Sequence, residues 1–199
     1  DPARPQGEVP ALVSELLADD AEDEVAWRGG ERRVARLVRR APEAGEGERG
    51  VTIRPDGSYL VTGGLGGLGL SVAGWLAQKG AGHLVLVGRS GAASAEQQRA
   101  VAALEARGCR VTVAAADVAD PDRMARVLEE ISTSGMPLRG VVHTAGILDD
   151  GLLLQQTPAR LRAVTAPKVL GALHLHALTR EAPLDFFVMY SSASGLFGS

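Results

Sequence analysis

The run Thr62-Gly63-Gly64-Leu65-Gly66-Gly67-Leu68-Gly69 constrains this chain more than any other stretch. It follows a short apolar segment, residues 59–62, that reads as a strand, and it opens residues 67–78, which read as a helix. Glycine lets backbone approach a pyrophosphate closely, and a helix N-terminus offers free N–H donors and the positive end of its dipole. A glycine string alone also fits an ordinary flexible turn. The strand before it and the helix after it supply the context of a dinucleotide-binding turn. All eight residues, Thr62 to Gly69, are therefore candidates for cofactor contact.

The chain beyond that loop alternates in the same manner. Residues 83–87 form an apolar strand, Ser94 is placed to cap a helix running to Ala106, and residues 110–115 form a strand. Asp120 precedes Pro121, and proline is well suited to the first helical position. Residues 140–144 read as a strand, 157–179 as one long helix and 185–191 as a strand. Apolar strands alternating with helices predict βαβ units, hence an α/β, Rossmann-like doubly wound parallel sheet covered on both faces. Residues 1–50 read differently. An amphipathic stretch at 11–18 precedes two strands, 24–28 and 31–38, joined at Gly29-Gly30 as a tight hairpin. Residues 41–50 are rich in Gly, Glu and Pro and read as a linker, so a boundary is expected near residue 50, followed by the main unit at 51–199. The small α/β piece before it is too short to hold a core alone.

Composition removes several classes of function. The net charge is -3 and no basic stripe is present, which argues against nucleic acid. The apolar runs are strand-sized, far short of a membrane span, and the polar N-terminus lacks a signal-peptide pattern. The single cysteine, Cys109, allows neither an internal disulfide framework nor a zinc cluster, and a reduced cytoplasmic setting is the simplest expectation.

The second strand of the series ends before Gly88-Arg89-Ser90, about 20 residues past the glycine loop, where an NAD enzyme places an acid on the ribose 2′-hydroxyl. An acid would repel a 2′-phosphate; Arg89 attracts it and Ser90 can donate to it. NADPH is thus expected over NADH, against the bland alternative of a solvated loop arginine. Asp117-Val118 follows the next strand. The Asp117 carboxylate suits an adenine amino group and equally suits a turn cap, and both readings stand. Among 21 basic residues only Lys79 and Lys168 are lysine, so a lysine here has some claim to be present for its chemistry.

Taken in order, the glycine loop, Gly88-Arg89-Ser90, Asp117-Val118 and His143-Thr144-Ala145-Gly146 resemble the short-chain dehydrogenase/reductase superfamily. Together with Leu148-Asp149-Asp150, Thr165-Ala166-Pro167-Lys168 and a closing Tyr190-Ser191-Ser192-Ala193-Ser194-Gly195, they resemble the ketoreductase domains of modular polyketide synthases and animal-type fatty acid synthases. The resemblance covers about residues 58–199 and implies NADPH-dependent reduction of a β-ketoacyl group on an acyl carrier protein, with neighbouring synthase domains as further partners. It adds Thr144, Ala145 and Gly146 to the cofactor residues and makes residues 10–40 similar to the tail of a structural subdomain. It implies Ser192 as the hydrogen-bond donor to the ketone oxygen, with Ser191 and Ser194 as rivals, and Lys168 as the lysine supporting a tyrosine acid. That tyrosine and an asparagine are expected beyond Ser199, leaving the sheet incomplete at the C-terminus and the 199 residues alone inactive. Leu148-Asp149-Asp150 resembles the B-type signature and implies a D-configured, usually 3R, hydroxyl. A redox-inactive NADPH-binding domain, structural or epimerising, and a free-standing short-chain dehydrogenase remain the alternatives.

Overall fold

The computed structural model describes residues 7–22, 24–39 and 50–197. The central strands are buried on both faces, which is why they read as continuous apolar runs instead of alternating ones. β3 (Ser58–Thr62) is buried along its whole length, and β4 (His83–Gly88) and β6 (Leu138–His143) nearly so. β5 (Arg110–Ala115) and β7 (Phe186–Met189) form the edges of a parallel sheet ordered β5-β4-β3-β6-β7. Side chains alternate across this sheet with the two-residue period of a strand. Tyr59, Val61, Leu84 and Leu86 point to the face covered by α2 (Gly67–Gln78) and α3 (Ala95–Glu105). Leu60, Val85, Val87 and Val141 point to the opposite face, against α4 (Pro121–Thr133) and Leu175. The chain is therefore an α/β protein with a Rossmann-like sheet, as the alternation predicts.

The expected caps are present. Ser94 and Gln97 form a reciprocal capping box on α3, and the Asp120 carboxylate accepts from the Asp122 and Arg123 amides at the start of α4. The long helix expected over 157–179 is instead three pieces: α5 (Pro158–Thr165), a π-helical turn (Ala166–Leu170) and α6 (Gly171–Thr179). Pro167 has no N–H to give, and its ring crowds the carbonyl one turn back, so the helix absorbs an extra residue where Pro167 and Lys168 sit. Strand bounds also differ. β6 begins at Leu138, two residues earlier than expected, and β7 stops at Met189.

Two buried histidines tie strands together. Ser58 Oγ lies 2.8 Å from His83 Nδ1 and Thr112 Oγ1 lies 2.9 Å from His83 Nε2, so one imidazole links β3, β4 and β5. His143 Nδ1 lies 2.6 Å from Thr62 Oγ1. Burial lowers both pKa values; the charge of Arg110 adds to this at His83. A lowered native pKa means that the unfolded chain takes up protons first as pH falls. Stability is therefore whole above the ordinary histidine value of about 6.5 and declines below it until the native rings protonate too. The paired carboxylates Glu15, Glu22 and Asp149, all held below their ordinary values, act only in a more acidic window. Calorimetry between pH 7.5 and 5.5 is expected to show Tm falling by several degrees, and a flat profile contradicts the assignment of both rings as buried and neutral.

Gly50–Tyr190 forms one compact unit, and the described residues before Gly50 belong with those from Ser191 onward to a second. In this second unit α1 (Glu8–Leu16) begins three residues and ends two residues before the expected amphipathic stretch. β1 (Val25–Arg28) and β2 (Glu31–Val34) pair antiparallel, shorter than the expected 31–38 at the second strand. Gly29 and Gly30 take φ of 60° and 85°, the left-handed pair that a two-residue hairpin requires. Arg32 bridges Glu15 and Asp20 at 2.6 and 2.8 Å. A short helix α7 (Ser194–Phe197) follows Ser192. The expected linker at 41–50 falls, except for Gly50, outside the described residues.

Candidate active site

β3 feeds α2 and then β4 on one side, whereas β6 leads to β7 on the other, so the order reverses between β3 and β6. Open α/β sheets bind ligands at the carboxyl ends of the strands flanking such a reversal. Here the glycine loop meets Thr144 and Ala145. Thr144 donates to the Thr62 carbonyl from both its amide, at 3.1 Å, and its hydroxyl, at 2.7 Å. Gly63 has φ of 67°, and a Cβ on it would stand 2.8 Å from the Ala145 amide nitrogen. A Cβ on Gly64 would stand 2.6 Å from the Val61 carbonyl oxygen, and one on Gly69 only 2.1 Å from that of Gly63. Gly66 is the extended N-cap of α2, and the Gln97 side chain steadies the loop by donating to the Leu65 carbonyl at 3.2 Å.

A cleft of about 290 Å³ opens at this point. Gly63, Gly88, Arg89, Asp117, Val118, Ala145 and Gly146 line it, joined by Ile147 and Pro167, which were not among the expected cofactor residues. These residues fit a dinucleotide: glycines leave backbone uncovered on the floor, and an arginine stands where an acid would reject a 2′-phosphate. Asp117 lines the cleft, and one carboxylate oxygen accepts from the Ala119 amide at 2.9 Å, as a turn cap does. Other candidates lie apart from the lining. Thr62 and Leu65 are buried beneath the loop, with Leu65 packed near Gly88. Ser90 is exposed in the turn after Arg89. Leu68 faces a separate apolar groove beside Trp75, Val188 and Tyr190.

Lys168 sits in the π turn beside this cleft. Its Nζ donates to the Tyr190 carbonyl at 2.9 Å, while the Tyr190 amide donates to the His143 carbonyl at 3.0 Å. Its methylenes lie over Gly146, where a Cβ would come within 2.7 Å of Lys168 Cε. The lysine is exposed and is positioned by this hydrogen bond. Tyr190 follows β7, and Tyr59 is fully buried, stacked on Phe186 with ring centroids 5.8 Å apart. Ser192 belongs to the other unit. Its Oγ lies 2.8 Å from Ser194 Oγ and accepts from the Ser194 amide at 3.2 Å, which pairs it with one of its rivals.

His143 and Arg160 are the residues that sequence reasoning passed over. His143 Nε2 is buried, Nδ1 lies against Thr62 Oγ1, and Cε1 lies beside Gly171 at the end of the π turn, so the ring stands between the glycine-loop strand and the helix that carries Lys168. Only its place in His143-Thr144-Ala145-Gly146 hinted at this. Arg160 grips Asp149 and its loop, and nothing in the sequence pattern marks it. Leu148 is exposed. Among the described residues no His, Cys, Asp and Glu cluster could hold a metal, and no helix is long and apolar enough to cross a membrane.

Comparison with known proteins agrees with this geometry. The family model described as "KR domain" matches residues 57–199. The chain is 43% identical over 178 residues to a phenolphthiocerol/phthiocerol polyketide synthase of Mycobacterium tuberculosis (strain CDC 1551 / Oshkosh), covering 89% of this chain and 10% of that protein. It is 41% identical over 196 residues to 5-methyl-1-naphthoate synthase of Streptomyces sahachiroi, covering 92% of this chain and again 10% of the relative. The chain thus spans about a tenth of the length of these curated relatives. An A-type ketoreductase structure from a modular polyketide synthase superposes with a TM-score of 0.79 at 41% identity, over 96% of this chain and 40% of that one. The first ketoreductase of the tylosin polyketide synthase gives 0.76 at 37% identity, over 94% of this chain and 39% of that one. The chain belongs to the KR domain family, the ketoreductase domains of polyketide synthases.

Proposed function

We propose that this chain is the cofactor-binding part of a reductase that uses NADPH to convert a β-ketoacyl group, carried on an acyl carrier protein, into a β-hydroxyacyl group during polyketide biosynthesis. One observation carries the reading: the glycine cradle at the reversal point of the sheet opens into a cleft that Arg89 helps to line. Bound NADPH would supply hydride to the ketone carbon. The loop from Thr62 to Gly69 would hold the pyrophosphate through backbone N–H groups at the start of α2. Arg89 and Ser90 would hold the 2′-phosphate, and Asp117 with Val118 the adenine. Thr144, Ala145 and Gly146 would line the nicotinamide side.

Ser192 would donate a hydrogen bond to the ketone oxygen, and Lys168 would support the tyrosine acid that the family resemblance expects further along the chain. The emerging alkoxide needs a positioned acid, and a nearby ammonium lowers the pKa of a phenol. Leu148, Asp149 and Asp150 would direct the D-configured (3R) outcome. Partners would be an acyl carrier protein and the neighbouring domains of a cytoplasmic synthase.

In the full-length protein, Lys168→Ala is expected to lower kcat by about 100-fold, the lower end of general acid–base effects, while NADPH affinity stays within about twofold. Steady-state kinetics with fluorescence titration of NADPH makes the comparison. An unchanged kcat demotes Lys168 to a surface residue.

A further inference from the structure

The two adjacent acids after β6 have different surroundings. The Arg160 guanidinium meets the Asp149 carboxylate as a fork, Nε to Oδ2 at 2.8 Å and Nη2 to Oδ1 at 2.6 Å. The same guanidinium donates to the backbone carbonyls of Asp149 and Asp150, both at 3.0 Å, and to that of Gln155 at 3.3 Å. Gly151 lies directly against it; a Cβ there would be 2.8 Å from Nη1. Gln156 closes the segment by donating to the Gly151 carbonyl at 3.3 Å. Arg160 is itself fixed in the first turn of α5, where its amide donates to the capping Thr157 hydroxyl. The Asp150 carboxylate accepts no hydrogen bond among the described residues and contributes only its charge.

We infer that Arg160 is a positioning residue: it occupies Asp149 and pins the 149–155 segment in one conformation, leaving Asp150 as the acid available to an acyl substrate. This inference rests on the reading of Leu148, Asp149 and Asp150 as residues that set product configuration. Asp149 then acts through the loop, and Asp150 acts directly. Lysine is a poor replacement, because a point charge cannot reproduce a fork that reaches a carboxylate and several carbonyls together.

The test uses the full-length protein and a β-ketoacyl N-acetylcysteamine thioester, with chiral chromatography of the hydroxy product and hydrogen exchange of the loop amides. Arg160→Gln is expected to lower the ratio of the two product configurations by about tenfold, the size of one lost hydrogen bond to a charged group. Asp149→Asn, which leaves the carbonyl bonds of Arg160 in place, is expected to lower it less, and the double variant to do no more than Arg160→Gln, which already removes the fork to Asp149. Arg160→Lys should restore less than half of the selectivity. Exchange in 149–155 should rise several-fold, with NADPH affinity unchanged. Gly151→Val, which crowds the guanidinium without removing it, should reproduce both effects. A product ratio within twofold of the wild type in Arg160→Gln, or unchanged loop exchange, overturns the inference. A wild-type protein that reduces no ketone sinks the proposed function instead, and loop exchange alone then decides the clamp.

Discussion

Gly69→Ala is expected to weaken NADPH binding by about 100-fold, the loss of one or two hydrogen bonds to a charged phosphate. The new Cβ would fall 2.1 Å from the Gly63 carbonyl oxygen and 2.7 Å from Gly64 Cα. Both atoms are backbone, so no side chain can swing aside and the loop itself must shift. Gly63 in turn abuts Thr144 and Ala145, and the displacement reaches the floor of the cleft. Gly74→Ala is the control. It lies on the same helix with nothing within 4 Å of its Cβ position, and alanine favours a helix over glycine by about 1 kcal/mol. That variant should bind NADPH normally and melt slightly higher. Equal affinity for Gly69→Ala and wild type would mean that the loop does not carry the cofactor.

Arg89→Ala should separate the two nicotinamide cofactors. A guanidinium on a phosphate makes charge-assisted, often bidentate hydrogen bonds, so its removal should weaken NADPH by about 100-fold and leave NADH within about threefold. Arg89 helps to line the cleft just past β4, and no acid occupies Gly88-Arg89-Ser90 to hold a free 2′-hydroxyl. The contrast between the cofactors is the informative quantity, because general damage to the fold weakens both. Equal losses would remove Arg89 from the 2′-phosphate site.

The strands and caps of the sheet were legible because each has a local cause. β3 and β4 are continuously apolar because helices cover both faces, and Ser94 and Asp120 announce helix starts through their own side chains. The glycines of the loop were legible for the same reason: only a residue without Cβ fits Gly63, Gly64 and Gly69. What escaped depends on contacts between segments distant in sequence. The π turn at Ala166–Leu170 was hidden inside an otherwise helical pattern, although Pro167 was its local sign. Leu68 sits within the motif yet faces the outer groove, because motif membership says nothing about which side of α2 a residue occupies. Arg160 reads as an ordinary helix-surface arginine until folding carries the Asp149 loop onto it. Lys168 was legible through motif and rarity, but its hold on the Tyr190 carbonyl joins a helix to a strand that only the fold brings together.

The most direct test of the central claim is the absorbance of NADPH in a reaction of the full-length protein with a β-ketoacyl thioester, followed alongside product analysis. The account predicts that cofactor oxidation and β-hydroxyacyl formation proceed in equal amounts, and that NADH substitutes poorly. A protein that binds NADPH in the cleft but leaves the ketone intact would contradict it, and would instead make this chain part of a cofactor-binding domain without reductase chemistry.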